Sequence, residues 1–217
     1  MMTFMNLPNS ISTGRIALVP VLATVLYFDS PTMRWVALLV YTIGCISDFL
    51  DGYLARREKQ ISELGRMLDP VADKLLVVTV IFMLVITERI EGSNLMASLI
   101  ILLREFLVSA LREFLADLRM RMHVTGAAKW KTVLQMFALG FFIVGDAAPD
   151  TIVSFVSIAG TTLLWAAALI SVTSGIGYVR FCLLGIERYH RRKQRRAKLA
   201  GKIGLLKNPP ARSRTQS

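Results

Sequence analysis

Histidine and cysteine are scarce in this chain, with two of each among 217 residues. Cys45 and Cys182 lie far apart and show no metal-ligand spacing, which excludes a zinc ribbon and a disulfide-stapled secreted domain. His123 and His190 sit beside basic residues and read as solvated surface. Acids are few as well, 15 against 26 Lys and Arg, for a net charge of +11. Twelve of those 26 cations fall in 180–217, where Glu187 is the only acid. Tyr189 is the only aromatic among the charges of 187–217, so the stacking platform of a nucleic-acid site is missing and no nucleic acid is expected as a partner. The same tail reads either as a contact for anionic lipid headgroups or as a solvated extension without a ligand. No internal repeat and no long polar linker divides the chain.

Apolar residues are abundant instead: 54% of the chain, with a mean hydropathy of +0.53. Roughly 20 apolar residues cross a bilayer core, so about five to seven spans fit. The expected fold is an all-α polytopic membrane protein with six transmembrane helices, near 16–28, 35–55, 70–87, 95–118, 132–145 and 152–178. Residues 1–180 form the catalytic domain in this reading, and 181–217 a basic cytosolic tail that is partly disordered. Before Ile16 the flank carries only Arg15 as a charge, and no small-residue cleavage site follows. The first span is therefore expected to be retained. Connections after helices 2 and 4 carry Arg56, Arg57, Lys59 and Arg66, then Arg119, Arg121, Lys129 and Lys131. The opposite connections, 29–34, 88–94 and 146–150, hold only Arg34 and Arg89 as cations. This asymmetry puts both termini and the connection after helix 2 in the cytoplasm. A multi-pass protein of the cell (inner) membrane is expected.

Chemistry concentrates in 47–75, SDFLDGYLARREKQISELGRMLDPVADKL. Carboxylates at membrane depth are costly and mark function. Asp48 and Asp51 are three apart and Asp69 and Asp73 four apart, so each pair shares one face of its helix. Convergent carboxylates repel unless cations neutralise them, and all-oxygen donors suit Mg²⁺ or Mn²⁺. Two such ions flanking a phosphoryl group would polarise it and neutralise its charge. Gly52 lets a bulky ligand approach the backbone, Ala55 is similarly small, and Arg56 can pair with a phosphate oxygen. Gly65 is expected in a tight turn between the pairs. Asp69 before Pro70 also has the form of an ordinary N-cap and first helical position. Asp73 has Lys74 and Arg66 as alternative partners.

Asp48-x2-Asp51-Gly52-x2-Ala55-Arg56-x8-Gly65-x3-Asp69-x3-Asp73 resembles the signature of the CDP-alcohol phosphotransferase family at every position and spacing. The resemblance implies a six-helix membrane fold, a homodimer, and an active site at the cytosolic face. It implies Asp48, Asp51, Asp69 and Asp73 as ligands of two divalent cations, Mg²⁺ or Mn²⁺, with Asp73 also the general base. Gly52, Arg56 and Ser62 would contact the CDP moiety, with Ala55 beside them. The stretch MNLPNSISTGRIALVP is similar to the opening of the branch that uses glycerol 3-phosphate, where Asn9, Ser12 and Arg15 help hold the nucleotide. Asn9 and Ser12 read equally as helix caps, and Ser12 stands where that branch usually has Thr.

Further along, Arg104 and Arg112 are eight apart in ILLREFLVSALREFLADL, with Glu105 and Glu113 beside them. They read as structural ion pairs or as ligands. GAAKWKTVLQM adds Lys129 and Lys131, with Trp130 as an interfacial anchor. A neutral acceptor such as inositol or serine does not need so many cations, whereas one bearing its own phosphate does. These stretches also resemble the glycerol 3-phosphate branch. The expected reaction is phosphatidyl transfer from CDP-diacylglycerol to glycerol 3-phosphate. Siblings acting on phosphatidylglycerol, inositol phosphate or serine are the alternatives. An intramembrane prenyltransferase spaces its acidic clusters far more widely, and a cation transporter needs carboxylates in helices 5 and 6, which have none at mid-span.

Overall fold

The computed structural model describes residues 7–28, 30–58, 63–117 and 126–207, without the side chains of 7–13, 48–58, 63–73, 117, 127–128 and 188–207. The described residues form six α-helices in order: α1 Leu7–Tyr27, α2 Pro31–Glu58, α3 Glu63–Ile86, α4 Ser93–Asp117, α5 Gly126–Val144 and α6 Asp150–Lys207. A single 3-10 turn, Gly145–Ala147, joins α5 to α6. No strand occurs among the described residues.

Each helix outruns the apolar segment that reveals it. Hydropathy marks the middle of a helix and is silent about polar ends, where charged side chains are as helix-compatible as leucine. Three expectations change accordingly. α3 starts at Glu63, so Asp69 and Pro70 lie within the helix and Asp69 is not its N-cap. Gly65 stands in the first turn of α3 rather than in the connection. α6 passes residue 180 without interruption and carries the basic stretch as helix to Lys207. Of 207–217, expected to be disordered, Lys207 ends α6 and 208–217 lie outside the described residues.

Short connections make α1, α2 and α3 run antiparallel in turn, and α1 packs against both α2 and α3. Their shared core holds Leu22 and Leu26 of α1, Ala37 and Tyr41 of α2, and Val80 and Leu84 of α3, with Leu139 and Ile143 of α5. Gly44 lets the three helices close: a Cβ there would sit 2.7 Å from Leu76 Cδ1 and 3.3 Å from Leu18 Cδ2. Gly44→Leu is therefore expected to destabilise the fold by about 1–3 kcal/mol through overpacking, read as a lower melting temperature in detergent. Gly44→Ala, relieved by a shift of Leu76, should cost less.

A second core joins α4, α5 and α6 through Ala97, Ile101, Ala138, Leu164, Ala167 and Ala168. Its alanines permit close backbone approach, as membrane helix packing favours. At the end of the bundle where α2 and α6 begin, Arg34 pairs with Asp146. Trp35 Nε1 donates to the Ala147 carbonyl at 3.3 Å, and Arg89 Nη1 to the Ile143 carbonyl at 3.3 Å. Gly145 adopts a φ of +49°, which glycine accommodates without strain.

Large apolar side chains point outward on every side: Leu39, Phe82, Leu103, Phe137, Ile158 and Leu169 are each more than 60% exposed. A water-soluble monomer rarely presents contiguous apolar surface beyond a few hundred Å². Among the described residues two helical stretches, Ser93–Ala116 and Asp150–Glu187, are long and apolar enough to cross a membrane.

Candidate active site

The Gly44 contact fixes the level of the aspartate motif. Asp48 and Asp51 follow Gly44 by four and seven residues along α2, about 6 and 10.5 Å at 1.5 Å per residue. On antiparallel α3, Asp73 and Asp69 precede Leu76 by three and seven residues, about 4.5 and 10.5 Å. The backbone thus carries both pairs to one level at the same end of the bundle. Leu18 of α1 meets the same glycine. Arg15, Ser12 and Asn9 precede Leu18 by about 4.5, 9 and 13.5 Å, and so approach that level too. Arg15 is buried. The side chains of Asn9, Ser12, Asp48, Asp51, Ala55, Arg56, Asp69 and Asp73, and the surroundings of Gly52, lie outside the described side chains. Ser62 lies outside the described residues.

Aspartate supplies only oxygen donors, the kind Mg²⁺ and Mn²⁺ prefer, so these four residues, two on each helix, fit such an ion by residue type. Among the described side chains no group of three His, Cys, Asp or Glu is arranged to hold a metal ion, and the side chains of the four aspartates are not among those described.

On the opposite flank, α5 runs antiparallel to α2. Trp35 bonds to Ala147 and, further along, Tyr41 Oη donates to the Met136 carbonyl at 3.3 Å. Asp48 lies about 10.5 Å past Tyr41, while Lys131 and Lys129 lie about 7.5 and 10.5 Å before Met136. Cations of α5 and carboxylates of α2 therefore share a level.

Lys131 is fully buried, and its Nζ binds Glu105 Oε1 of α4. Arg104 Nη1 stands 3.7 Å from the other carboxylate oxygen, Oε2. From α6, Ser174 Oγ accepts a hydrogen bond from Arg104 Nη2 at 3.0 Å, and the Tyr178 ring lies 5.6 Å from the guanidinium carbon. Arg112 and Lys129 are exposed, as is Trp130. Of the four cations singled out in the sequence, two meet in the interior through Glu105 and two stand at the surface. Ser174 and Tyr178 of α6, which meet Arg104, and Ser171 one turn before Ser174 escape a reading based on charge. Ser171, Ser174 and Tyr178 recur at i, i+3 and i+7 and so share one face of α6, which is the available signal.

Between α2, α5 and α6 runs an open groove of about 590 Å³, lined by Trp35, Leu38, Tyr41, Phe137, Phe141 and Val156 among others. Its walls are almost wholly apolar, which suits a hydrocarbon chain better than a polar ligand.

Comparison with known proteins accords with this arrangement. The family model described as CDP-alcohol phosphatidyltransferase matches residues 5–173. The chain is 41% identical over 177 residues to a CDP-diacylglycerol–glycerol-3-phosphate 3-phosphatidyltransferase of Rickettsia bellii, covering 82% of this chain and 95% of the relative. A Haemophilus influenzae protein of the same name is 34% identical, covering 81% and 92%. The Arabidopsis thaliana protein so named and numbered 2 is 33% identical, covering 81% and 78%. With the family match spanning most of its length and the aspartate signature complete, the chain belongs to the CDP-alcohol phosphatidyltransferase family.

Proposed function

We propose that the chain transfers the phosphatidyl group of CDP-diacylglycerol to sn-glycerol 3-phosphate, giving phosphatidylglycerophosphate and CMP for anionic phospholipid synthesis. The observation that carries this reading is the shared level of the two aspartate pairs and the α5 cations, in a chain whose relatives bear that activity in their names. The enzyme is a six-span protein of the cell (inner) membrane with both termini and the active site cytoplasmic, working as a homodimer. The outward apolar side chains of α2 to α6 support the membrane setting. Residues 1–180 hold the catalytic machinery, and the basic helix and tail of 181–217 meet anionic headgroups.

Asp48, Asp51, Asp69 and Asp73 are the residues that would hold two Mg²⁺ or Mn²⁺ ions. Such ions, when bound, neutralise and polarise a diphosphate. Gly52 and Ala55 leave room for the CDP phosphates, and Arg56 pairs with one of their oxygens. Asn9, Ser12, Arg15 and Ser62 line the nucleotide side. The α2–α5–α6 groove takes an acyl chain of the donor. Arg104, Arg112, Lys129 and Lys131 draw in the acceptor's phosphate. Asp73 accepts the proton of the acceptor hydroxyl as that oxygen bonds to the β-phosphorus. The bond from β-phosphorus to the CMP oxygen breaks in the same displacement.

Purified enzyme offered CDP-diacylglycerol with one acceptor at a time tests the assignment. CMP release should require glycerol 3-phosphate and remain at background with inositol phosphate, serine or phosphatidylglycerol. Release driven by one of those acceptors instead would move the enzyme to a sibling activity.

A further inference from the structure

We propose that Glu105 is a positioning residue of the acceptor site, holding Lys131 of α5 and Arg104 of α4 together and charged where the acceptor phosphate binds. The inference rests on the reading of Arg104 and Lys131 as acceptor-phosphate ligands.

Lys131 has no exposed surface, and Glu105 Oε1 receives its ammonium. An unpaired ammonium buried in a low-dielectric interior sheds its proton rather than bear the desolvation cost. A neutral amine has little attraction for a phosphate. Direct pairing with the Glu105 carboxylate offsets the desolvation cost. Its second oxygen lies 3.7 Å from Arg104 Nη1, so one carboxylate spans the two helices that carry the cations. Arg104 is held from its other side by Ser174 Oγ and the Tyr178 ring. The guanidinium plane is thus set before any ligand arrives.

Charge and hydrogen-bonding capacity both point to an anionic guest. Two cations face one carboxylate in this cluster. Arg104 Nε, Ser171 Oγ and Tyr178 Oη are buried and have no hydrogen-bond partner among the described residues. All three are donors. Buried donors are seldom left unsatisfied unless a ligand or water completes them. A phosphate brings three acceptor oxygens. Glu105 itself does not contact the phosphate in this account: it acts through the two cations.

Steady-state kinetics of the full-length enzyme, with each substrate varied in turn, test the proposal. Glu105→Gln should raise KM for glycerol 3-phosphate about tenfold or more, with a smaller change in kcat and none in KM for CDP-diacylglycerol. Added to Lys131→Met, it should raise that KM by much less than it does alone, because its effect runs through Lys131. Glu105→Asp, which keeps the charge on a shorter arm, should lie between wild type and Gln, and serves as the test if the Gln variant fails to fold. An unchanged acceptor KM in the folded Gln or Asp variant overturns the proposal, as do fully additive effects of Glu105→Gln and Lys131→Met. If Lys131→Met and Arg104→Met themselves leave the acceptor KM unchanged, the acceptor-site reading falls. If those two raise it and the Glu105 variants do not, only the role of Glu105 falls.

Discussion

Asp73→Asn lowers CMP release from CDP-diacylglycerol by about a thousandfold or more, while binding of CDP-diacylglycerol stays measurable. Asparagine matches aspartate in shape and keeps one oxygen, so helix α3 and its packing are preserved. What goes is the charge and the capacity to take a proton. Loss of a general base alone costs about 10²- to 10⁴-fold, and the same oxygen pair also belongs to the proposed cation site. A carboxylate shared with a cation is a weak base. In the proposed mechanism it suffices because the hydroxyl proton becomes strongly acidic only as its oxygen bonds to phosphorus. The variants Asp48→Asn and Asp51→Asn, by contrast, should raise the concentration of divalent cation needed for half-maximal rate. Equilibrium binding of CDP-diacylglycerol in lipid nanodiscs, beside a CMP-release assay, separates the two effects. Wild-type turnover by Asp73→Asn would remove the residue from the mechanism.

Arg104→Met raises KM for glycerol 3-phosphate by about a hundredfold, the scale of one lost charge-assisted or bidentate contact, and leaves KM for CDP-diacylglycerol near its wild-type value. Methionine fills most of the space of the arginine stem, so the α4–α6 contact survives better than with alanine. Arg104→Lys should not restore the acceptor KM. A lysine presents a point charge, whereas Arg104 uses one Nη toward Glu105 and the other toward Ser174 Oγ, with its plane near the Tyr178 ring. Equal rises in both Michaelis constants would mean a general loosening of α4 against α6 instead.

Much of this architecture is legible in the amino-acid order, and the gaps have physical causes. The number of helices follows from the count of separate apolar runs, including those too short by themselves to cross a bilayer. The aspartate pairs are legible because carboxylates stand out in such runs, and helical spacing alone puts each pair on one face. Helix ends are not legible in the same way. Glu63 to Leu68 and Arg188 to Lys207 are polar or mixed, so hydropathy is silent about helices that the backbone nonetheless continues. Asp69 shows the consequence: next to Pro70 it has the form of a cap, yet the helix begins six residues earlier. Arg104 and Lys131 are visible as cations, but their meeting through Glu105 depends on which faces of α4 and α5 touch, and no spacing within one helix contains that. Ser171 and Ser174 are quieter still, because small hydroxyls inside a membrane-type helix equally serve as packing residues.

CMP release from CDP-diacylglycerol by the purified enzyme, measured with and without glycerol 3-phosphate and with Mg²⁺ or Mn²⁺ against a chelator, is the most direct test. The account predicts release only when acceptor and divalent cation are both present, lost on chelation and restored by adding the cation back. Release that persists in excess chelator, or that proceeds equally without glycerol 3-phosphate, would contradict it.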